Sequence, residues 1–444
     1  MPPHAPRPPE TEYDLGLEFY GSPSPGVGGR LKSDAADFQV REISAYPVPD
    51  PMGPYTIVRV ESQNWEQHEL GAAIARRLGI SPHSIQWAGT KDRRAIAERL
   101  FSFKGVPPSN DFTLPEVTFL EWYRARDGLS LGHHYGNAFA IRLRDVSLPV
   151  EEAARRCQSI RSELRDAGGF PNFFGLQRFG EVRPVTHLVG RRLVQGDVAG
   201  AVDLYLTEIA PNDAGPGVEA RRAYALHRDP NRALQEFPPS YRFERTMLDH
   251  LARGQSPERA LRSLSRELRL LFIHAYQAWL FNRWLSRRFR EGIPMTEPVA
   301  GDWIIRVHRD GTYSGADAVP VLVDNRPECE DQVSRGRAQI AGPLVGFGTS
   351  ANRGPPGDLL DALLHEEGIE RRSFETPHTP EVASAGTWRP ISLPLPPIGV
   401  TTSVSSSPLS GDNLTELNFR FALPKGAYAT VLLREFQKSG ALEA

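Results

Sequence analysis

The sequence predicts an α+β chain in which one mixed sheet is interrupted by a long helical segment. Three observations carry this. Polar/apolar alternation of period two recurs in the first third of the chain, hydrophobic spacing turns helical from about residue 184 to residue 290, and alternation returns beyond residue 417. Strands and helices are mixed without a regular βα repeat, which argues against a dinucleotide-binding doubly wound sheet. With 444 residues the chain exceeds one ordinary domain, so at least two cores are expected.

The elements follow in order. The proline-rich start, through residue 25, reads as a flexible leader. Residues 29–43 end in a strand, and residues 56–61 form another. Asn64 with Gln67 three positions on reads as a capping box; it opens a helix whose face is Leu70, Ala73, Ile74 and Leu78, closed by Gly79. Two apolar, strand-like runs, Ile85–Ala88 and Arg99–Phe103, bracket a charged loop, and alternation resumes at Ala138–Leu143. Over residues 151–167 Ala153, Cys157, Ile160 and Leu164 share one helical face that stops at Gly168-Gly169. Ser256-Pro257-Glu258 starts a helical pattern running to Gly292, too long for one helix and read as two. Gly354–Pro356 and Pro390–Pro397 read as loops, Leu417–Leu423 as a strand, Pro424-Lys425-Gly426 as a turn and Ala427–Phe436 as a helical element.

Composition narrows the function. A net charge of -2 supplies no global attraction to nucleic acid, so any basic surface is local. One candidate lies between Arg253 and Arg290, where nine arginines face two glutamates; the alternative is a solvated arginine face behind an aromatic core face of Trp279, Phe281, Trp284 and Phe289. Cys157 and Cys329 lack a partner motif and read as free buried thiols, which suits the cytoplasm. No apolar run approaches the roughly 18 residues of a membrane span. Of 52 basic residues only five are lysine, and three of those, Lys32, Lys91 and Lys425, fall in the motifs below. A lysine kept against such a bias marks a position where a compact ammonium matters.

The most informative segment is Gly89-Thr90-Lys91-Asp92-Arg93-Arg94-Ala95. It places one carboxylate among cations, which hold it ionised and nucleophilic; alone, it would read as a solvated turn. In Gly136–Arg144, Asn137 and Phe139 share one side of a strand, an amide and a ring able to hold a planar base by edge and by face. Pro171–Gly180, with Phe174, Gln177 and Arg178, is a glycine- and aromatic-rich loop suited to a ribose-phosphate. Other constellations are set aside. Gly26–Gly29 is a turn without a flanking strand and helix, Gly342–Gly348 lacks a phosphate-loop lysine, and adjacent His133 and His134 face opposite ways on a strand, unlike a metal pair.

Together these segments resemble the TruD family of pseudouridine synthases, in the longer archaeal and eukaryotic branch. Residues 89–95 resemble its catalytic loop, 136–144 its Asn-x-Phe strand, 172–180 its NFFG-QRFG signature, Lys32–Val40 its N-terminal element, and Phe421–Thr430 its C-terminal signature. Arg183–Gly190 and Ala341–Gly346 resemble the long branch. The resemblance implies a pseudouridine-synthase catalytic domain over residues 26–171 and 391–444, interrupted by an α+β insertion domain over 172–390. It implies isomerisation of uridine in tRNA, at position 13, without cofactor or metal. Asp92 falls on the catalytic aspartate, Lys32 on its basic neighbour, Phe139 on the ring that stacks uracil and Asn137 on an active-site amide. Lys91, Phe174, Gln177 and Arg178 fall in its substrate-binding motifs. Ala97 and Arg99 stand where the family usually has threonine and glutamine; with the loop intact, activity is expected, with RNA contacts or substrate range open to change. The rival reading is an RNA-binding or RNA-folding protein of the same fold with lost catalysis. A glycoside hydrolase would need a second carboxylate that the loop lacks.

Overall fold

A computed structural model describes residues 6–44, 47–108, 113–211, 213–308, 311–407, 409 and 411–438. The chain opens with α1 (Glu10–Asp14) and then lays down six strands: β1 (Arg30–Leu31), β2 (Phe38–Ser44), β3 (Tyr55–Gln63), β4 (Ile96–Lys104), β5 (Val117–Ala125) and β6 (His134–Val146). Helix α2 (Gln67–Leu78) follows β3, and α3 (Val150–Asp166) follows β6. At β7 (Phe170–Pro171) the chain passes into a helical layer. This comprises α4 (Thr186–Val194), α5 (Val198–Thr207), α6 (Pro216–His227), α7 (Pro230–Glu236), α8 (Arg242–Ala252), α9 (Pro257–Arg262) and α10 (Arg266–Arg290). A small sheet of β8 (Trp303–Val307), β9 (Tyr313–Pro320), β10 (Ala338–Leu344) and β11 (Thr387–Pro390) packs with α11 (Arg326–Ser334) and α12 (Pro355–Glu366). The chain returns through β12 (Ser392–Leu393), antiparallel to β7. It ends with β13 (Gly399–Ser406), β14 (Asn413–Pro424) and α13 (Ala429–Gln437).

The large sheet runs β13-β14-β6-β2-β4-β3-β5, with β1 also on β6. Its ladders are antiparallel except β2 with β4. Strand β2 shows why the sheet forms: Phe38, Val40 and Glu42 point inward while Gln39, Arg41 and Ile43 point out. Two of those inward residues are apolar and one, Glu42, is a buried carboxylate. Helix α3 buries Ala153, Cys157, Ile160 and Leu164, the face expected from spacing.

Four expectations are corrected. The leader is packed from Glu10 onward: Leu15, Leu17 and Phe19 are buried, and Phe19 stacks on Phe289 with centroids 3.8 Å apart. Residues 1–5 lie outside the described residues. Helix α2 is capped by Glu66, whose carboxylate accepts from the His68 and Glu69 amides at 2.8 and 3.0 Å. Asn64 instead turns the chain out of β3 in a left-handed conformation (φ 60°). The run Ile85–Ala88 makes only an isolated bridge, Gln86 with Ser102, on the edge of β4 beyond the three residues that pair with β2. The expected loop at Gly354–Pro356 is the start of α12, and β12 interrupts the one at 390–397. The pattern beginning at Ser256 does divide in two, as α9 and a 25-residue α10.

Candidate active site

The charged heptad lies between the Gln86 bridge and β4. Two contacts pin its start. Gly89 packs so closely on the His134 ring that a Cβ there would lie 2.9 Å from Cε1, so no larger residue fits without displacing the ring. On the same ring, Nδ1 lies 3.1 Å from the Ala88 carbonyl oxygen. Burial, with Lys91 nearby as the second influence, lowers the pKa of His134 and favours the neutral ring. With Nδ1–H donating to Ala88, that ring supplies the loop with a fixed support.

Asp92 stands at the tip. One carboxylate oxygen lies 3.1 Å from Lys32 Nζ, and the other accepts from the Gln177 side-chain amide. Lys32 reaches it from a left-handed backbone position (φ 53°), with its ammonium 4.8 Å from the Phe38 ring centroid and 3.4 Å from Glu181. Burial alone would pull the Lys32 pKa down; Asp92 and Glu181 together outweigh it, and the net shift is upward. Lys32 is therefore a stable cation beside the carboxylate.

Below Asp92 opens a cleft of about 490 Å³. Its floor comes from two paired strands, with Val40 opposite Phe139 and Glu42 opposite Asn137, so these side chains share one face of the sheet. Phe139 lines the cleft half-buried, edge-on to Phe38 at 6.0 Å and 5.4 Å from Phe421. Asn137 Oδ1 is buried and, among the described residues, has no hydrogen-bond partner. Gln177, Arg178 and the segment Gly426–Thr430 close the far wall. A second cleft of about 470 Å³, lined by Lys32, Asn64, Arg93, Arg94 and Glu181, shares Asp92 and Gln177 as its boundary. The carboxylate thus borders both clefts.

The expected site residues divide. Asp92, Lys32, Asn137, Phe139, Gln177 and Arg178 converge on these clefts. Lys91 also borders the cleft, but its ammonium is turned away onto Glu42, 2.7 Å distant, with both side chains nearly inaccessible. Phe174 lies behind the wall, buried between the Arg389 guanidinium 4.1 Å above its ring and Arg178 at 5.6 Å. Lys425, the third motif lysine, donates to the Gly132 carbonyl at 2.8 Å and braces the turn before Tyr428.

Neither unusual residue of β4 reaches a surface. Ala97 is fully buried, and Arg99, 1% exposed, donates to Gln67 at 2.8 Å inside the α2 face, where burial lowers its pKa to about 10. Expected changes in RNA contact at these positions are not what the packing provides. The arginine-rich stretch is similarly absorbed. Eight of its nine arginines already meet an oxygen of this chain, including Arg283 and Arg290 on Glu18, Arg287 on Glu366 and the fully buried pair Arg288–Asp302. Three contributors were missed from sequence: Glu42, His134 and Tyr428. Glu42 had a readable signal, being a charge at an inward position of an alternating strand; the other two depend on tertiary contacts.

The family model described as tRNA pseudouridine synthase D (TruD) matches residues 14–436. A chain from Halobacterium salinarum named probable tRNA pseudouridine synthase D is 38% identical over 452 residues, covering 97% of this chain and 98% of that one. Another so named, from Thermococcus onnurineus, is 38% identical, covering 94% and 97%. A crystal structure of a TruD protein from Methanosarcina mazei superposes with a TM-score of 0.80 at 32% identity, covering 97% of this chain and 98% of that one. The α+β fold with its mixed sheet agrees with that neighbour.

Proposed function

We propose, because the chain belongs to the tRNA pseudouridine synthase D family of isomerases, that it converts uridine 13 of tRNA to pseudouridine with Asp92 as nucleophile or base. The single observation that carries this reading is the Lys32–Asp92 pair at 3.1 Å, poised over a cleft floored by Phe139 and Asn137. In the reaction the N1–C1′ bond breaks, the uracil turns and C5 bonds to C1′. C5 then loses its proton and N1 gains one, so atoms balance and no oxidation state changes. A base drawn from its stack costs on the order of a few kcal/mol, which stacking on Phe139 offsets in part. Asn137 Oδ1, the unpaired acceptor, meets the uracil N3–H. Lys32 is paired with Asp92 at 3.1 Å and balances charge on the departing uracil. Arg178 and Gln177 lie along the ribose-phosphate, and Arg93 and Arg94 along the flanking backbone.

The insertion is taken as residues 172–390 and the catalytic domain as 26–171 with 391–444; the β7–β12 pairing, where the chain leaves and returns side by side, supports those bounds. Cys157 and Cys329, buried and unpaired, are consistent with the cytoplasm. No described helix is long and apolar enough to cross a membrane. The rival reading, an RNA-binding protein without catalysis, rested on Ala97 and Arg99, and both are interior.

The test uses unmodified tRNA transcripts with uridine at position 13, no added metal or cofactor, and pseudouridine mapped at nucleotide resolution. Conversion there by the wild type, lost in Asp92→Asn with RNA affinity retained, is the expected result. Binding without conversion by the wild type would sink the proposal, and conversion by Asp92→Asn would remove Asp92 from it.

A further inference from the structure

The least expected pair in the site is the ion pair beneath it. Lys91 precedes the catalytic-loop carboxylate, and its ammonium is buried on Glu42 at 2.7 Å, with 2% and 3% of the side chains exposed. Burying two charges is expensive, and an apolar pair of similar volume is often as stable or more so. Such a pair is therefore weakly explained by stability alone. Its place suggests another role. Glu42 lies directly opposite Asn137 in the β2–β6 ladder, two positions along from Val40 opposite Phe139. Lys91 thus ties the loop that carries Asp92 to the floor that holds the base. Only Thr90 and Lys91 separate the pinned Gly89 from Asp92.

Resting on the reading of Asp92 given above, we propose that Glu42 is a positioning residue: through Lys91 it sets the height and direction of the Asp92 carboxylate over Phe139 and Asn137. A lysine suits this because a single compact ammonium on Glu42 is a point anchor. Glu42 is nearly inaccessible, and its effect is carried by geometry. A displacement of about 1 Å at a reacting group costs on the order of 100-fold in turnover.

Three variants test it on position-13 transcripts: Glu42→Gln, Glu42→Asp, and the double apolar change Glu42→Leu with Lys91→Met. For each, kcat, KM, RNA affinity and melting temperature are measured. Glu42→Gln is expected to lower kcat about 100-fold with KM and RNA affinity within about threefold, and Glu42→Asp to regain part of that loss. The double variant, free of an uncompensated buried charge, is expected to melt at or above the temperature of Glu42→Gln yet stay slow. Wild-type turnover in Glu42→Gln overturns the inference. So does full recovery in the double variant, or a kcat that merely follows melting temperature, since the pair would then serve only the fold. The Asp92→Asn control separates the two levels: turnover surviving there removes the nucleophile and this inference with it, whereas turnover surviving in Glu42→Gln alone removes only the inference.

Discussion

The Arg389 guanidinium lies 4.1 Å above the ring of Phe174, so a residue at the end of the long interruption is stacked on one at its beginning. The same guanidinium donates to the Asn172 backbone and side-chain oxygens at 3.1 and 2.6 Å and to the Gly426 carbonyl at 2.9 Å. One buried cation joins three distant stretches of chain behind the wall of the cleft.

Arg389→Lys should therefore be far from conservative. An ammonium cannot stack as a plane or reach three acceptors in a fixed fork, and the vacated oxygens stay buried. A loss of about 3 kcal/mol in chemical unfolding is expected, with a fall in kcat/KM because Gly426–Thr430 lines the cleft. A variant as stable and as active as wild type would contradict this.

Phe139→Ala should lower kcat/KM on position-13 transcripts by about 10- to 100-fold, the equivalent of one lost base–aromatic stack. Phe139→Tyr keeps the π-face and should remain within about threefold if the ring is what matters. Equal rates for the two variants would take base stacking away from this residue.

Salt dependence should single out arginines by their partners. Arg93 and Arg94 are exposed beside Asp92, so Arg93→Ala should reduce the slope of log K against log salt by about 0.7 to 0.9. Arg283→Ala and Arg287→Ala, which remove cations already paired with Glu18 and Glu366, should leave that slope unchanged. A flattened slope in the second pair would mean that α10 contacts phosphate.

Acid sensitivity should come in part from His187, alongside a share from His274, whose pKa burial lowers to about 4; His187 is buried against Phe179 and Trp279 with Nδ1 unpartnered among the described residues. Burial, with Arg191 adding to it, lowers its pKa to about 3. The unfolded chain takes up that proton near pH 6.5 and the folded chain does not. Stability is thus intact above about 6.5 and falls as the pH drops towards 3, by about 2 kcal/mol at pH 5. His187→Phe should remove this part of the difference in unfolding midpoint between pH 7 and pH 5. An unchanged difference would place the acid sensitivity elsewhere.

Much of the site was legible because its signals are local. The glycine and charges of 89–95, the Asn137/Phe139 spacing and the α3 face each follow from the period of one element. What was not legible depends on partners distant in sequence. The arginines of α9 and α10 read as a basic surface because Glu18, Asp302, Glu366 and Glu381 are invisible to a window around them. Lys91 read as a substrate contact for the same reason, its partner lying 49 residues earlier. Asn64 looked like a cap by composition; the left-handed turn out of β3 took it, and Glu66 capped the helix instead.

Strand β14 sits in the interior of the large sheet, yet it is made long after its neighbour: Arg142 of β6 and Asn418 of β14 are in contact across 276 positions of sequence. At about 5–20 residues per second a ribosome needs roughly 15–55 s to cover that interval. Throughout it β6 presents an unpaired edge, the kind of template on which nascent chains misassociate. The intervening helical layer, contiguous in sequence, emerges whole during the wait and can fold first. The pocket wall at 426–430 follows β14 directly in sequence, so the cleft cannot be complete before the strand that covers the β6 edge has been made.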